Sequence, residues 1–450
     1  MICPAIRRLI AVLLILIFFT PVVFAGKPVP TITADAAVLI DATTGQVLYN
    51  KNMHKQEYPA STTKIITALL ALEYLELEEI VTIDAEAPFT KGSRIYLIEG
   101  ERISVEDLLY ALLVESANDA AVALANRIAG STEEFAKLMN SKAKELGALN
   151  TNFVNPNGLE NDAHMTSAYD LAMIAMEAMK DERFRKIVST YEYTVPATNK
   201  QPEQRYLHNT NRLLYDLNHH VTYEGVSRVM KYNDAVGIKT GYTSQAGNCL
   251  VAGARREGTE LISVVMKTDG NGVYLDSISL LEYGFSNFRT TLAVESGLTT
   301  GAVKVKSGAV REVQTRVDAD GWVTLPADAA WSDIKKTVET EPVLDAPVRE
   351  GDTVGSMSVS YDGNVLCVLD VVAAGNVDKG GILSNIGIED KTAAMIRNVI
   401  LGIIGALFLL LTVYILLKRR QVRLKKQRRA ERAARYAEEA KRAEEETRKM

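Results

Sequence analysis

Cysteine and histidine are scarce: the 450 residues of this chain include only three cysteines and five histidines. So few cysteines exclude a small domain stapled by disulfides, and no Cys or His residues stand at the spacing of a metal site. Cys249 and Cys367 lie in different predicted domains, and we expect both to be small buried hydrophobic residues rather than a disulfide. We interpret His164, near the Asn155-Pro156 turn, as structural and the other histidines as surface or loop residues.

A large excess of either charge is also missing, since the net charge is only -5. The chain is 47% hydrophobic and 24% charged, which is an ordinary globular composition with ample material for a core. Its length predicts two or three domains. Nothing in the body of the chain indicates a nucleic-acid-binding surface, so we expect no nucleic-acid partner.

Long apolar runs are confined to the two ends. At the N-terminus, Arg7 and Arg8 precede an apolar run from Leu9 to Phe19. The residues just before Gly26 are small or are otherwise tolerated before a signal-peptide cleavage point. This pattern predicts a secretory signal peptide over residues 1–25. The alternative is a retained membrane helix, but the run is too short to span a hydrocarbon layer of about 30 Å.

The C-terminal run, Asn398 to Leu417, is free of charge and long enough to cross a bilayer. A dense set of Lys and Arg residues begins at Lys418, and positive charge marks the cytoplasmic side of a membrane helix. The sequence therefore predicts a linker over 379–397, one transmembrane helix over 398–417 and a charged cytoplasmic tail over 418–450. A buried soluble helix is the alternative, which the basic flank disfavours.

The region between these ends predicts a multi-domain α/β protein. Residues 31–290 begin with a hairpin and then combine helical patterns with three short apolar runs typical of adjacent antiparallel strands. The helical patterns are Ser61–Leu75, Val105–Ala129, Thr132–Leu146, Ser167–Met179 and Leu275–Phe288, and the strand-like runs are Val236–Lys239, Cys249–Ala254 and Leu261–Met266. We expect a helical lobe packed against an antiparallel sheet. Residues 292–378 show only strand-like runs and predict a small β-sandwich.

Three short motifs carry the chemistry: Ser61-Thr62-Thr63-Lys64, Ser116-Ala117-Asn118 and Lys239-Thr240-Gly241. A serine hydroxyl needs a base beside it to act as a nucleophile. Residues three apart on a helix share a face, which would place Lys64 next to Ser61. Lys64 can accept the proton only if burial and a second positive charge lower its pKa, and Lys239 could supply that charge. Taken alone, the first motif would instead indicate a helix N-cap followed by a surface lysine.

The other two motifs suit a bound peptide. Ser116 could relay a proton to a leaving group, and Asn118 could hydrogen-bond a substrate backbone. The side chains of Lys239 and Thr240 suit a substrate carboxylate, and the missing side chain of Gly241 lets a substrate approach the strand backbone. The backbone N–H groups of Ser61 and Tyr242 would form an oxyanion hole. The alternative for Ser116-Ala117-Asn118 is a polar break between two helices, and the alternative for Lys239-Thr240-Gly241 is an exposed strand end.

Together the motifs resemble those of the low-molecular-weight penicillin-binding proteins that act as serine-type D-Ala-D-Ala carboxypeptidases. The resemblance covers about Thr31 to Asp378. It extends to the sequence around the motifs, in the segments Tyr58–Lys64, Asn118–Ala121, Phe153–Leu159 and Gly237–Thr243. The resemblance implies the penicillin-binding-protein/β-lactamase-like transpeptidase fold, followed by the β-domain and a C-terminal membrane anchor.

The same resemblance implies a reaction. Ser61 would attack the carbonyl between the two terminal D-alanines of a peptidoglycan stem peptide, the last D-Ala would leave, and water would hydrolyse the acyl-enzyme. A β-lactam mimics the D-Ala-D-Ala end and would trap Ser61. The chemistry implies no metal or organic cofactor. The substrate implies a catalytic domain outside the cell membrane.

One position departs from the family pattern. Members often carry an Arg just before the strand that reads Leu261–Met266 here, and that Arg helps to hold the terminal carboxylate. In this chain Glu260 stands there. Arg255 and Arg256, a few residues earlier, are the candidates to replace it.

Three other functions share these motifs. A β-lactamase would need a Glu that positions the deacylating water, and the nearest such segment begins at Glu160 and ends at His164. An inactive wall-binding scaffold would have no need of the full motif set. An endopeptidase or transpeptidase would use the same site with another substrate or acceptor.

Overall fold

The computed structural model describes residues 26–381, 384 and 388–449. The predicted signal peptide, residues 1–25, lies outside the described residues. The chain divides into two compact units. The first contains the described residues up to Val294 together with Asp320–Lys336 and Val359–Cys367. The second contains Glu295–Ala319, Thr337–Ser358 and the described residues from Val368 onward.

The secondary structure alternates between strands and helices in the first half of the chain and is almost entirely β in the region that follows. The helices are α1 (Lys64–Tyr74), α2 (Val105–Leu113), α3 (Asn118–Ala129), α4 (Thr132–Glu145), α5 (Ala168–Ala178), α6 (Glu182–Ser189), α7 (Gly272–Asn287) and α8 (Asp390–Thr447). The strands are β1 (Ala36–Asp41), β2 (Val47–Lys51), β3 (Ile80–Thr82), β4 (Arg102–Ser104), β5 (Glu192–Val195), β6 (Arg205–His208), β7 (His220–Tyr223), β8 (Val226–Val229), β9 (Ala235–Thr243), β10 (Gly247–Arg256), β11 (Thr259–Thr268), β12 (Phe288–Val294), β13 (Thr299–Lys306), β14 (Glu312–Val317), β15 (Gly321–Pro326), β16 (Ile334–Thr340), β17 (Val343–Asp345), β18 (Thr353–Tyr361) and β19 (Asn364–Ala373).

A five-stranded antiparallel sheet organises the first unit, in the order β2-β1-β11-β10-β9. Alternate side chains of a strand point to opposite faces of the sheet. In β11, Ile262 and Val264 belong to the apolar cluster that contains α1–α5, whereas Leu261 and Val265 belong to the cluster that contains α7. Both faces of the sheet are therefore buried, which is why its inner strands are continuous apolar runs. The predicted helical lobe against an antiparallel sheet is confirmed.

Five predicted helical patterns of the first unit are helices in the structure, one of them with a break, and α6 is a helix that the sequence did not predict. α4 begins after Ser131, whose side chain accepts from the backbone N–H of Glu134, as expected of an N-cap. The predicted helical stretch Val105–Ala129 is divided into α2 and α3. Ser116 lies between them with φ +65°, a left-handed conformation that a right-handed helix cannot contain.

The C-terminal β-region contains a six-stranded sheet in the order β16-β18-β19-β14-β13-β17. The neighbours β13 and β14 are antiparallel, and β13 and β17 are parallel. The predicted β-rich character of this region is confirmed, with one 3-10 turn at Trp331–Asp333 among the strands, and it forms a sheet domain. The sequence did not predict β12, which follows α7 directly and pairs with β15.

One long helix ends the described chain. α8 has 58 residues and is exposed along its length. Among the described residues it is the one helix long and apolar enough to cross a membrane. It begins at Asp390, inside the segment predicted as linker, and continues through the predicted tail to Thr447.

Candidate active site

Ser61 lies in a 3-10 turn, Ala60–Thr63, directly before α1. Residues three apart eclipse one another in a 3-10 turn, so the side chains of Ser61 and Lys64 point the same way. The distance between Lys64 Nζ and Ser61 Oγ is 2.8 Å. Ala60, which precedes the serine, is buried and has φ +47°. The turn therefore presents Ser61 to the lysine at the start of α1.

Lys64 is fully buried at the centre of the site. Its Nζ contacts two oxygen acceptors besides Ser61: Asn118 Oδ1 at 2.6 Å and the backbone carbonyl of Asn157 at 2.8 Å. Burial lowers the pKa of Lys64 well below its ordinary value, and the positive charge of Lys239 lowers it further. The nearby Asp119 acts in the opposite direction. An amine in these surroundings favours its neutral form.

Asn118 begins α3 and is fixed by the loop before the helix. Its backbone N–H donates to the carbonyl of Ser93 at 2.7 Å, and its Nδ2 donates to the carbonyl of Lys91 at 2.7 Å. These bonds turn Oδ1 of Asn118 towards Lys64. Ser116, two residues earlier, is only 5% exposed, and its hydroxyl has no hydrogen-bond partner within the described chain.

The third motif lies on β9, the edge strand of the five-stranded sheet. Lys239 is buried, and burial lowers its pKa to about 7, although the negative charge of Glu115 acts to raise it. Its Nζ donates to the carbonyl of Thr240 at 3.1 Å. The hydroxyls of Thr240 and Thr210 are 2.6 Å apart. Lys239 follows Ile238, whose φ of +100° is rare for a β-branched residue.

Gly241 permits the close approach between β9 and the serine turn. A Cβ at this position would lie 3.0 Å from the carbonyl oxygen of Pro59 and 3.1 Å from the backbone nitrogen of Ser61. The backbone of Ser61 therefore faces the part of the strand that leads into Tyr242, whose side chain is 67% exposed. The pairing of the backbone N–H groups of Ser61 and Tyr242 as an oxyanion hole stays a prediction.

The structure thus brings Ser61, Lys64 and Asn118 into direct contact. Lys239 acts on Lys64 through its charge, and Thr240 and Gly241 follow it on the same edge strand. Ser116 lies two residues from Asn118 without a hydrogen bond to the other residues. Of the two cysteines, Cys249 is buried as predicted, whereas Cys367 is only half-buried, and both are free thiols.

The interpretation of Glu260 was wrong. Lys239 pairs with Val251 across β9 and β10, whereas Glu260 pairs with Arg255 at the far end of β10. Four residues separate Val251 from Arg255, which is about 13 Å along a strand. Glu260 instead accepts from Arg185 Nη1 at 2.7 Å.

The proposed replacements for the missing Arg lie at the same distant end. Arg256 Nη2 donates to Asp234 at 2.7 Å and to Glu282 at 2.9 Å. Arg255 is paired with Glu260 in the sheet register. Glu260 and these two arginines therefore lie at the opposite end of β10 from the residues that pair with Lys239 and Thr240.

The sequence did not predict a role for Asn157, and it predicted only that His164 is structural. The sequence indicates a turn at Asn155-Pro156, but only the structure shows that the carbonyl of Asn157 accepts from Lys64. His164 is buried and connects the segment before this turn to the serine turn through two hydrogen bonds. The backbone N–H of Val154 donates to its Nδ1 at 2.9 Å, so Nε2 carries the proton and donates to Thr63 Oγ1 at 2.9 Å. Thr63 in turn donates to the carbonyl of Ala60.

Protonation of His164 is expected to weaken the fold. Burial lowers its pKa from 6.5 to about 4, and a proton on Nδ1 would face the N–H of Val154. Because the unfolded chain binds this proton first, the free energy of unfolding should fall by about 3 kcal/mol between pH 6.5 and pH 4. Urea unfolding of the full chain in detergent across this range measures the loss. His164→Gln should show a shallower pH dependence, and identical slopes in both proteins would contradict the role.

Comparison with known proteins adds independent evidence. The family model described as D-alanyl-D-alanine carboxypeptidase matches residues 23–270, and that of the penicillin-binding protein 5 C-terminal domain matches residues 288–379. The D-alanyl-D-alanine carboxypeptidase DacF of Bacillus subtilis is 36% identical over 393 residues, covering 84% of this chain and 96% of that protein. Escherichia coli DacC is 31% identical and covers 82% of this chain and 92% of its own length.

Solved structures give the same result. Penicillin-binding protein 5 from Haemophilus influenzae superposes with a TM-score of 0.66 at 32% identity, covering 78% of this chain and 100% of that chain. The DD-transpeptidase of Streptomyces K15, solved as a mutant, superposes with a TM-score of 0.52 at 32% identity and covers 57% of this chain. With its serine, lysine and asparagine in contact beside an edge strand, the chain belongs to the D-alanyl-D-alanine carboxypeptidase family and is a serine-type carboxypeptidase of the penicillin-binding-protein fold.

Proposed function

We propose that Ser61 is the nucleophile and neutral Lys64 its general base in the release of the terminal D-Ala from peptidoglycan stem peptides. The contacts of Lys64 Nζ carry this proposal. A neutral amine has two N–H donors and one lone pair, and the oxygens of Asn118 and Asn157 can only accept. The lone pair is therefore left for the hydroxyl of Ser61 at 2.8 Å.

The reaction follows from this geometry. Ser61 Oγ bonds to the carbonyl carbon of the penultimate D-Ala while its proton passes to Lys64. The backbone N–H groups of Ser61 and Tyr242 stabilise the negative oxygen that forms. The C–N bond then breaks, and Ser116, whose hydroxyl is unengaged, relays the proton from Lys64 to the departing amine. A water that gives a proton to Lys64 hydrolyses the ester and regenerates Ser61.

The remaining motif residues hold the substrate. Asn118 presents its amide to the peptide backbone, and Gly241 lets the stem peptide lie against the edge strand. Lys239 and Thr240 receive the terminal carboxylate. Because the pKa of Lys239 is about 7, this lysine is partly protonated at neutral pH and a bound carboxylate would favour its charged form. A β-lactam carries a carboxylate at the matching position and acylates Ser61.

We also propose the topology of the chain. Residues 1–25 direct export, the catalytic domain (31–290) and the β-domain (292–378) lie outside the cell membrane, and α8 anchors them through residues 398–417. The basic residues that begin at Lys418 support a cytoplasmic tail over 418–450. This arrangement keeps the enzyme beside its polymeric substrate.

The structure disfavours the β-lactamase alternative. Fast deacylation in β-lactamases usually relies on a Glu that positions the attacking water. Glu160, the candidate from the sequence, is exposed, and its Oε1 accepts from Ser244 Oγ at 2.8 Å and from the backbone N–H of Gln245 at 3.3 Å. It connects two surface loops instead of facing Ser61.

Labelling with a fluorescent penicillin tests the proposed function. The full chain should form an adduct that persists for many minutes, and Ser61→Ala should form none, whereas the matched surface variant Ser332→Ala should label normally. D-Alanine release from a stem pentapeptide, with and without an acceptor amine, then separates hydrolysis from transpeptidation. A label lost within seconds would indicate a β-lactamase, and the absence of any label would indicate an inactive scaffold.

A further inference from the structure

The loop formed by residues 91–97 lies beside Asn118 and belongs to no helix or strand. The side-chain amide of Asn118 donates to the carbonyl of Lys91 at 2.7 Å, and its backbone N–H donates to the carbonyl of Ser93 at 2.7 Å. The same asparagine accepts from Lys64 through Oδ1 at 2.6 Å. The orientation of Asn118 at the reactive centre therefore depends on where this loop lies.

Asp119, the residue after Asn118, holds the other end of the same loop. It is completely buried in the first turn of α3. Its Oδ1 accepts from the backbone N–H of Ile95 at 3.2 Å, and its Oδ2 accepts from that of Leu97 at 3.1 Å. A buried N–H left without an acceptor costs about 1–3 kcal/mol, so the carboxylate fixes the loop. An amide side chain could not replace it, because an amide has one oxygen and one NH2 group.

The negative charge of Asp119 also acts on the general base. It raises the pKa of Lys64, against the larger lowering effects of burial and of the positive charge of Lys239. A base whose pKa falls far below the working pH accepts a proton poorly, so this charge keeps Lys64 effective. Burial raises the pKa of Asp119 itself, although the N–H groups of Leu97 and Ile95 act to lower it.

We propose that Asp119 is a positioning residue for the reaction: its carboxylate holds the loop that orients Asn118, and its negative charge acts on Lys64. Asp119 has no hydrogen bond to Ser61 or Lys64 within the described chain, so it works through its neighbours. This inference rests on the proposed function, because it takes Lys64 as the base of acylation. It adds a residue outside the three motifs to the machinery that prepares that base.

The variant Asp119→Asn in the full chain tests the proposal. Asparagine keeps one oxygen for the loop, turns an NH2 group towards the second loop N–H and removes the charge. We expect the second-order rate of penicillin labelling at neutral pH to fall roughly tenfold, as Asn118 is displaced. The acidic limb of the pH profile should also move about one unit towards lower pH, because Lys64 loses a charge that stabilises its protonated form.

Two control variants separate the loop from the charge. Gly92 has φ +84°, and a Cβ there would lie 2.6 Å from Asn118 Nδ2, so Gly92→Ala displaces the loop without changing any charge. It should slow labelling and leave the acidic limb in place. Asp170→Asn removes a buried carboxylate from the first turn of α5 and should preserve both the rate and the limb.

The acidic limb decides the outcome for a folded Asp119→Asn chain, with folding checked by urea unfolding. A limb that stays in place would overturn the inference even if labelling were slower, since slower labelling alone is what a merely structural residue would give. Should Asp119→Asn not fold, unchanged labelling of Gly92→Ala would overturn the role of the loop. The absence of labelling in the unmodified chain would instead reject the proposed function itself.

Discussion

Replacing Lys64 with glutamine is expected to slow the acylation of Ser61 by penicillin about a thousandfold, the range associated with loss of a general base. Glutamine can still donate to Asn118 and Asn157, but it has no basic lone pair for the serine hydroxyl. The second-order rate of labelling by fluorescent penicillin measures the effect. Acylation of the unmodified chain should also decline at low pH, as the lysine becomes protonated.

Lys64→Arg is the matched control for charge. Arginine does not lose its proton in proteins, so this variant keeps a cation in place but cannot serve as a base. Both variants should be impaired to a similar degree. Labelling within tenfold of the unmodified chain in either variant would contradict the assignment of Lys64 as the base, provided that urea unfolding shows a folded protein.

Gly158→Ala is expected to lower the free energy of unfolding by about 3 kcal/mol or more and to abolish labelling. The residue has φ +84°, and a Cβ would lie 1.8 Å from the carbonyl oxygen of Ala60 and 2.9 Å from Thr63 Oγ1. Ala60 cannot retreat without moving Ser61, which follows it. The substitution therefore separates the Asn157 carbonyl and Ser61 from Lys64 at once.

Gly130→Ala is the control that distinguishes the effect of the steric contact with Ala60 from the effect of backbone strain on the free energy of unfolding. Gly130 has φ +82°, almost the same as Gly158, but a Cβ there would meet nothing within 4 Å. It should cost only about 1 kcal/mol, the penalty of a left-handed alanine. Urea unfolding followed by circular dichroism compares the two variants, and equal losses would show that contact with Ala60 is unimportant.

Local sequence patterns predicted the features that depend on neighbouring residues. The spacing of Ser61 and Lys64 was enough to place them together, because residues three apart lie on the same face of either a 3-10 turn or an α-helix. Burial on both faces makes a strand continuously apolar. The apolar runs Val236–Lys239, Cys249–Ala254 and Leu261–Met266 therefore predicted β9, β10 and β11.

Features set by distant residues were not predictable in this way. The family pattern put Glu260 at the position of a carboxylate-holding Arg, but its place relative to Lys239 depends on the register of two hairpins, which the sequence does not show. The sequence offered a polar break at Ser116 only as an alternative, because the break depends on a left-handed backbone that a serine rarely adopts. The contact of Asn157 with Lys64 joins residues far apart in the chain. The residues around Asn157 predicted a turn but not that its carbonyl would contact Lys64.

The left-handed residues at the three motifs have a consequence for affinity. Ala60, Ser116 and Ile238 each hold a sparsely populated backbone conformation within or beside a motif, at a cost of about 1–3 kcal/mol apiece. The large buried core sustains these conformations in the chain without a ligand, so their cost belongs to folding. A peptide or penicillin that binds does not have to order these residues, and its binding free energy is not reduced by doing so. Pre-organisation thus transfers the ordering cost of recognition from the ligand to the fold.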